Sequence, residues 1–279
     1  MPKTLISNGK NLDLSSPKVM GILNLTPDSF FDGGKHSSID IQLKRVEQML
    51  EEGASIIDLG AVSTRPGALK VSESEEMDRL FPSLESIRHY FPDVFLSIDT
   101  YHASVAEEAV KLGADMINDI YGGRYDEGML ETIARLNVPY IMMHMKGKPE
   151  TMQHNPHYKD VIAEIAYFFQ QQISKLRKMD FGQVLIDPGF GFGKTIDHNF
   201  EILRRLPEFQ TLGCPVVIGL SRKSMIQKSL SVTVDEAGNG TTVLHTIALL
   251  KGAGILRTHD IKEAVQAINL VEIVSGGND

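Results

Sequence analysis

Eight short apolar runs, at residues 19–25, 55–59, 94–98, 116–120, 140–143, 184–186, 216–220 and 255–256, alternate with amphipathic stretches of helical period. Each run is apolar on both faces, as parallel strands are when helices cover one side and a packed interior the other. Eight such units are the count of a (β/α)8 TIM barrel, an α/β fold. The polar exceptions sit at the far ends: Asn24, Asp58, Asp99, Asn118 with Asp119, His144, Asp187, Arg222 with Lys223, and Arg257 with His259. An open doubly wound sheet would need polar groups near one switch point only, whereas a closed barrel gathers the C-terminal ends of all its strands at one mouth. No G-x-G-x-x-G follows the first run, which weakens a dinucleotide-binding reading. Upstream, Asn8-Gly9 between alternating apolar residues predicts a short N-terminal hairpin. No Pro- or Ser-rich linker interrupts the pattern, so a single domain over residues 1–279 is expected.

The helical stretches carry their own punctuation. Leu43, Val46, Met49 and Leu50 make a stripe ending at Gly53, and Ser72 with Glu75 reads as a capping box. Ile162, Ile165, Phe169, Ile173 and Leu176 form the longest stripe, read as core. Val243, Ile247 and Leu250 are expected to face inward before Gly252, and Asp260 with Glu263 to cap the last helix.

With 42% hydrophobic and 23% charged residues, the chain has the composition of a soluble globular protein. Its formal net charge of −8 argues against a general nucleic-acid surface and would repel an anionic substrate unless basic residues gather at the site. Cys214 is the one cysteine, which precludes an internal disulfide and fits a reducing compartment; it is expected to be a small buried residue. No apolar run approaches a membrane span and the first residues lack a signal-peptide core, so a cytoplasmic protein is expected.

The most informative stretch is 185–194, Leu-Ile-Asp-Pro-Gly-Phe-Gly-Phe-Gly-Lys. Pro188 stops the strand directly after Asp187, and three glycines let the backbone bend while phenylalanines stand beside a carboxylate and an ammonium, a setting for a flat, polar-edged, partly anionic ligand. Asp99, Asn118 and Asp187 together can offer acceptors and an amide to a ring carrying amino and N–H donors. Residues 20–34 run from a strand into a Gly-, Pro- and Asp-rich loop, with Asn24 as an uncharged oxygen ligand suited to Mg²⁺ beside a phosphate, and with Phe30 and Phe31 as anchors or lid. On the loop 63–67, Ser-Thr-Arg-Pro-Gly, Arg65 is placed to clamp a phosphate. Ser221-Arg-Lys-Ser224 and Arg257-Thr-His259 supply the positive charge that the global balance lacks. His144 is read as structural, and His154 and His157 lack metal-ligand spacing.

Taken in order, Asn-Leu-Thr-Pro-Asp-Ser-Phe, Ser-Thr-Arg-Pro-Gly, Ile-Asn-Asp-Ile, Met-His-Met-Lys-Gly, Asp-Pro-Gly-Phe-Gly-Phe-Gly-Lys, Ser-Arg-Lys-Ser and Arg-Thr-His-Asp make the chain resemble the dihydropteroate synthases over residues 19–260. Two departures stand in loops: Gly60-Ala-Val where that family usually has Gly-Gly-Glu, and Phe31 where serine is common. The resemblance implies a folate-pathway transferase joining 6-hydroxymethyl-7,8-dihydropterin diphosphate to 4-aminobenzoate, a target of sulfonamides, with Mg²⁺ and a homodimer. It implies that Asp99, Asn118, Asp187 and Lys223 hold the pterin. Asn24, Arg65, Arg257 and His259 would handle the diphosphate, with Asn24 on the metal. Thr64, Pro66, Phe192 and Ser224 would line the aminobenzoate pocket, with Phe30 on its lid. Two rival readings are a methyltetrahydrofolate-binding methyltransferase, which would not need the cationic pair, and a non-catalytic pterin-binding protein.

Overall fold

The computed structural model describes residues 4–25, 35–62, 71–147, 152 and 156–276, without the side chains of 35–38. The chain begins with antiparallel strands β1 (Thr4–Ser7) and β2 (Lys10–Asp13), paired from Thr4↔Asp13 to Ser7↔Lys10. Asn8 and Gly9 both take positive φ, at 50° and 76°, the tight turn whose twist suits a hairpin.

Eight parallel strands follow: β3 (Lys18–Asn24), β4 (Ile56–Gly60), β5 (Phe95–Asp99), β6 (Met116–Asp119), β7 (Tyr140–Met143), β8 (Val184–Asp187), β9 (Val217–Ile218) and β10 (Ile255–Thr258). Their order is β8-β7-β6-β5-β4-β3-β10-β9. A parallel bridge from Ile186 to Val216 joins the two edges, with the Ile186 N–H donating to Pro215 O at 3.0 Å, and so closes the expected barrel. The crossovers are α1 (Lys35–Glu51), α2 (Glu73–Tyr90), α3 (Ala103–Lys111), α4 (Met129–Leu136), α5 (Val161–Arg177), α6 (Ile196–Arg204), α7 (Ser224–Leu230) with α8 (Gly238–Leu250), and finally α9 (Ile261–Val274).

The barrel's lower interior is one apolar cluster in which each strand contributes a residue: Met20, Ile56, Phe95, Met116, Ile141, Leu185, Val217 and Ile255. Leu5 and Leu12 of the hairpin join that cluster, so β1 and β2 plug the end of the barrel where the strands begin. Lys10 and Arg88 hold the plug through the fully buried Asp115, at 3.1 and 2.5 Å. Gln183 accepts from the Ile6 N–H at 2.7 Å. The opposite mouth is left for function.

Several local readings change. Ser72 accepts from the Glu75 N–H, but the Glu75 carboxylate pairs with Arg79, so only half of the capping box forms. A complete box stands instead at Thr195 and His198. Asp260 precedes α9 without a side-chain cap bond, because its carboxylate is taken by Arg222 at 2.8 Å. On α8 the inward face is Gly240, Thr241, His245, Ala248 and Leu249, while Val243 and Leu250 are exposed. Small residues there allow close packing, and of the predicted stripe Ile247 packs partly buried against the core while Val243 and Leu250 do not. Cys214 is free and buried as expected.

Candidate active site

The mouth is built around Arg257. In register with Met20, it lies on β10 beside β3 and turns across the barrel. Its Nε donates to Asp58 Oδ2 at 2.6 Å and its Nη2 to Asp99 Oδ2 at 2.8 Å. Burial works against the guanidinium's charge, but Asp58 and Asp99 outweigh it and hold the group protonated. The same Asp58 oxygen accepts from Asn118 Nδ2 at 3.1 Å, so β4, β5, β6 and β10 are tied through one polar node. Asp58 is fully buried, and its Oδ1 has no partner among the described residues.

Asp187 ends β8, as its sequence setting requires. Its Oδ1 accepts from the Gly189 N–H at 2.7 Å, and burial raises its pKa against the opposing pull of Lys223 and that N–H. The Gly-rich turn that follows is dictated by close approach. Gly189 has φ +73°, and a Cβ there would stand 2.0 Å from His144 O; one on Gly193 would stand 2.1 Å from Lys146 O. Phe190 is buried core, whereas Phe192 is part-exposed and faces Lys223, whose Nζ lies 4.7 Å from the ring centroid. Burial lowers Lys223 to about 8 despite the nearby Asp187.

Lys194 corrects one expectation. Its ammonium faces inward and donates to His144 O, Gly189 O and Phe192 O at 3.1, 2.9 and 3.0 Å, so it fastens the turn and is not offered to a ligand. His144, buried with Nδ1 3.1 Å from Lys194 Nζ, belongs to that structural knot as its sequence reading held. Arg222 also leaves the cationic group: with φ +51° it turns away to Asp260 and to the carbonyls of Val234 and Asp235.

Asn24 and Ser224 are exposed at the rim. His259 lies just past β10, reached by solvent yet crowded by neighbouring chain; that crowding, and then the Arg257 charge, press its imidazole down to about 4. Thr64, Arg65, Pro66, Phe30 and Phe31 lie outside the described residues. Asp58 is the residue whose part the sequence left unassigned. It stood among the polar residues of the strand ends, but nothing in one chain revealed that Arg257, 199 positions away, would reach it.

Three carboxylates, Asp58, Asp99 and Asp187, thus share the pocket with two cations, Lys223 and Arg257. Burial lifts Asp99 to about 7, more than the Arg257 charge can offset, with Asp58 and Glu76 adding to the rise. A flat ring with donors along one edge finds acceptors at Asp99 and Asp187, an amide at Asn118, and cations beside it. Ile120, Met143 and Met145 form an apolar cluster with Phe192 and Tyr101 at the same mouth. Among the described residues no three His, Cys, Asp or Glu side chains group as a metal cluster. The exposed amide of Asn24 is compatible with Mg²⁺ that keeps most of its shell as phosphate and water oxygens.

Known proteins carry the same arrangement of chain. The family of pterin binding enzymes matches residues 20–259. The dihydropteroate synthase of Escherichia coli (strain K12) is 46% identical over 270 residues, covering 96% of this chain and 95% of the relative. That of Bacillus subtilis (strain 168) is 41% identical over 256 residues, 91% of this chain and 87% of its own. Among solved structures, Yersinia pestis dihydropteroate synthase in a sulfonamide drug complex superposes with a TM-score of 0.91 at 44% identity, covering 98% of this chain and 99% of the other. Xanthomonas albilineans dihydropteroate synthase with 4-aminobenzoic acid has a TM-score of 0.91 at 38% identity, covering 99% of both. Such identity over nearly the whole length, on a barrel whose mouth gathers acceptors, an amide and two cations, leaves one assignment: the chain belongs to the pterin binding enzymes and, within them, to the dihydropteroate synthases.

Proposed function

We propose that this barrel condenses 6-hydroxymethyl-7,8-dihydropterin diphosphate with 4-aminobenzoate, giving 7,8-dihydropteroate and pyrophosphate. The observation that carries the reading is the node at Arg257, which ties Asp58 and Asp99 and lies with Lys223, Asp187 and Asn118 in one buried mouth. Asp187 and Asp99 accept the pterin's amino and ring N–H groups, Asn118 reads the ring edge, and Lys223 supplies a proximal charge. The diphosphate extends to the rim, where Asn24, His259 and Arg257 receive it, and the family resemblance adds Arg65 to that group.

The chemistry asks for no nucleophilic side chain. The C–O bond to the diphosphate breaks with its electron pair on oxygen, and the electron-rich dihydropterin stabilises the methylene cation. The aminobenzoate nitrogen then donates its pair to that carbon and loses a proton to solvent. Mg²⁺, when bound, supplies positive charge on the leaving oxygens. Arg257 and Lys223 lower the cost of charge moving towards the diphosphate, and the apolar wall of Ile120, Met143 and Met145 keeps water from the cation. Phe192 and Ser224 stand on the aminobenzoate side of the mouth, and the family resemblance assigns Thr64, Pro66 and Phe30 to the same substrate; a sulfonamide would compete there.

Two further parts of the reading have their own support. A homodimer fits the exposed apolar residues of the packed helices α8 and α9, and a cytoplasmic site fits one free buried cysteine and the absence, among the described residues, of a helix long and apolar enough to cross a membrane. The test is an assay of pyrophosphate release with both substrates and Mg²⁺. Release requires all three, and a chelator abolishes it. Methyl transfer from a methylfolate, or pterin binding without turnover, would select one of the rival readings instead.

A further inference from the structure

We infer that Asp58 is a positioning residue for substrate recognition, orienting Asn118 towards the pterin ring and Arg257 towards the diphosphate through one shared carboxylate oxygen. The inference rests on the function proposed above and assigns a part to a residue that, on that reading, the ligand does not touch.

Asp58 sits in mid-strand, in register with Ile22 on one side and Ser97 on the other, with its side chain fully buried inside the barrel mouth. An ionised carboxylate in such a place needs donors. Both come from residues of the site and from opposite sides of β4: Arg257 Nε at 2.6 Å and Asn118 Nδ2 at 3.1 Å, on the same Oδ2. The other oxygen has no partner among the described residues, so this carboxylate has no competing structural attachment there.

Two consequences follow from donor and acceptor chemistry. An amide can present either its oxygen or its nitrogen to a ligand, and the two are nearly isosteric. Because a carboxylate only accepts, Asp58 takes the Nδ2 side of Asn118 and leaves Oδ1 as the group available to the ring. Arg257, likewise, is held at two points, Nε on Asp58 and Nη2 on Asp99, which fixes the plane of the guanidinium and not merely its location. Asp99 alone would leave that plane free to swing about one bond. Asp58 therefore sets which atoms the pocket shows, while Asp99, Asp187 and Lys223 supply the direct contacts.

The experiment measures binding of 6-hydroxymethylpterin by calorimetry to the full chain, its Asp58→Asn and Asn118→Ala variants and the double variant, together with steady-state kinetics in both substrates. Asp58→Asn replaces a pure acceptor by a group that can donate, so Asn118 can flip and Arg257 loses its second anchor. Pterin affinity is expected to fall roughly 10- to 100-fold, as when a charged hydrogen bond is lost. KM for 4-aminobenzoate at saturating dihydropterin diphosphate should stay within about twofold, a split that general damage would not produce. In the double variant the loss should be clearly less than the product of the single losses, because Asp58 acts partly through Asn118. Unchanged pterin affinity in a folded Asp58→Asn variant, or losses that multiply fully, would overturn the inference while leaving the proposed function standing. A native enzyme that binds no pterin would overturn both. If Asp58→Asn does not fold, exchange of the Asn118 side-chain amide by NMR in the native protein decides: one protected Nδ2 proton supports the anchor, and two freely exchanging protons exclude it.

Discussion

Asp99 shows the conflict between stability and binding most openly, because the pocket keeps it largely buried beside Asp58 and Glu76, and the Arg257 charge does not offset that burial. Its folded pKa, about 7, lies above the ordinary value of 3.8. Between those two values the native state holds more protons than the unfolded chain, so stability declines as pH rises from about 4 to about 7 and the penalty is fully present above that. Urea unfolding of the ligand-free protein across this range should show a downward slope that Asp99→Asn flattens; an unchanged slope in the variant would assign it to another group. Asp187 has a different test. Asp187→Asn exchanges an acceptor for a donor in a dry pocket, and calorimetry should record a loss of about 2 to 5 kcal/mol in pterin binding. Affinity close to the native value would remove Asp187 from the ring contacts. At this scale the sequence placed Asp99, Asn118, Asp187 and Arg257 at the correct strand ends, because strand polarity and the Pro188 stop are local signals. Residue chemistry alone did not separate Lys223 from Arg222 or Lys194, and only the family resemblance singled it out, since the direction each side chain takes depends on a positive φ at Arg222 and on carbonyls converging round Lys194.

Among the elements, the N-terminal hairpin combines short strands with a structural task, the closing of one end of the barrel. Two four-residue strands cannot persist in water by themselves, so β1 and β2 depend on Leu5 and Leu12 entering the barrel cluster and on Lys10 reaching Asp115. Asp115 also accepts from Arg88 and from the Leu96 N–H at 3.0 Å, so one buried carboxylate joins hairpin, helix α2 and strand β5. Removing one side of such a buried pair leaves an uncompensated charge, and Asp115→Ala should cost about 3 to 5 kcal/mol. The measurement is denaturant unfolding, with pyrophosphate release at low temperature retained because the mouth lies at the far end of the strands. A change below about 1 kcal/mol would mean that water replaces the carboxylate and that the plug is held by its leucines. The Asn8-Gly9 turn was legible because its chemistry is local. The purpose of the hairpin was not, since it depends on a core gathered from every strand and on Val94 and Asp115, which meet Lys10 from more than 80 positions along the chain.

At the scale of the whole molecule, the alternation of eight apolar runs with helices was sufficient to specify closure, and the strand order confirms that β3 and β10, first and last in the barrel, are neighbours. What the alternation could not assign was the outward face of the final helices. Val243 and Leu250 on α8 are 49% and 60% exposed, and Leu270, Ile273 and Val274 on α9 are 64%, 73% and 79% exposed. Solvation of so many large apolar groups on two packed helices is unfavourable, and covering each gains about 1.5 to 3 kcal/mol when complete. A second copy of the chain would cover them in a dimer interface of about 800 Å² per partner. Helices of a barrel run opposite to its strands, so the C-terminal ends of α8 and α9 lie towards the plugged end, away from the candidate site. Substitution there should therefore separate assembly from chemistry. Sedimentation of the native chain should give a dimer at micromolar concentration, and Leu250→Glu combined with Ile273→Glu should give a folded monomer whose pyrophosphate release stays within about twofold. A native monomer, or a doubly substituted chain that still sediments as a dimer, would place the interface elsewhere or remove it.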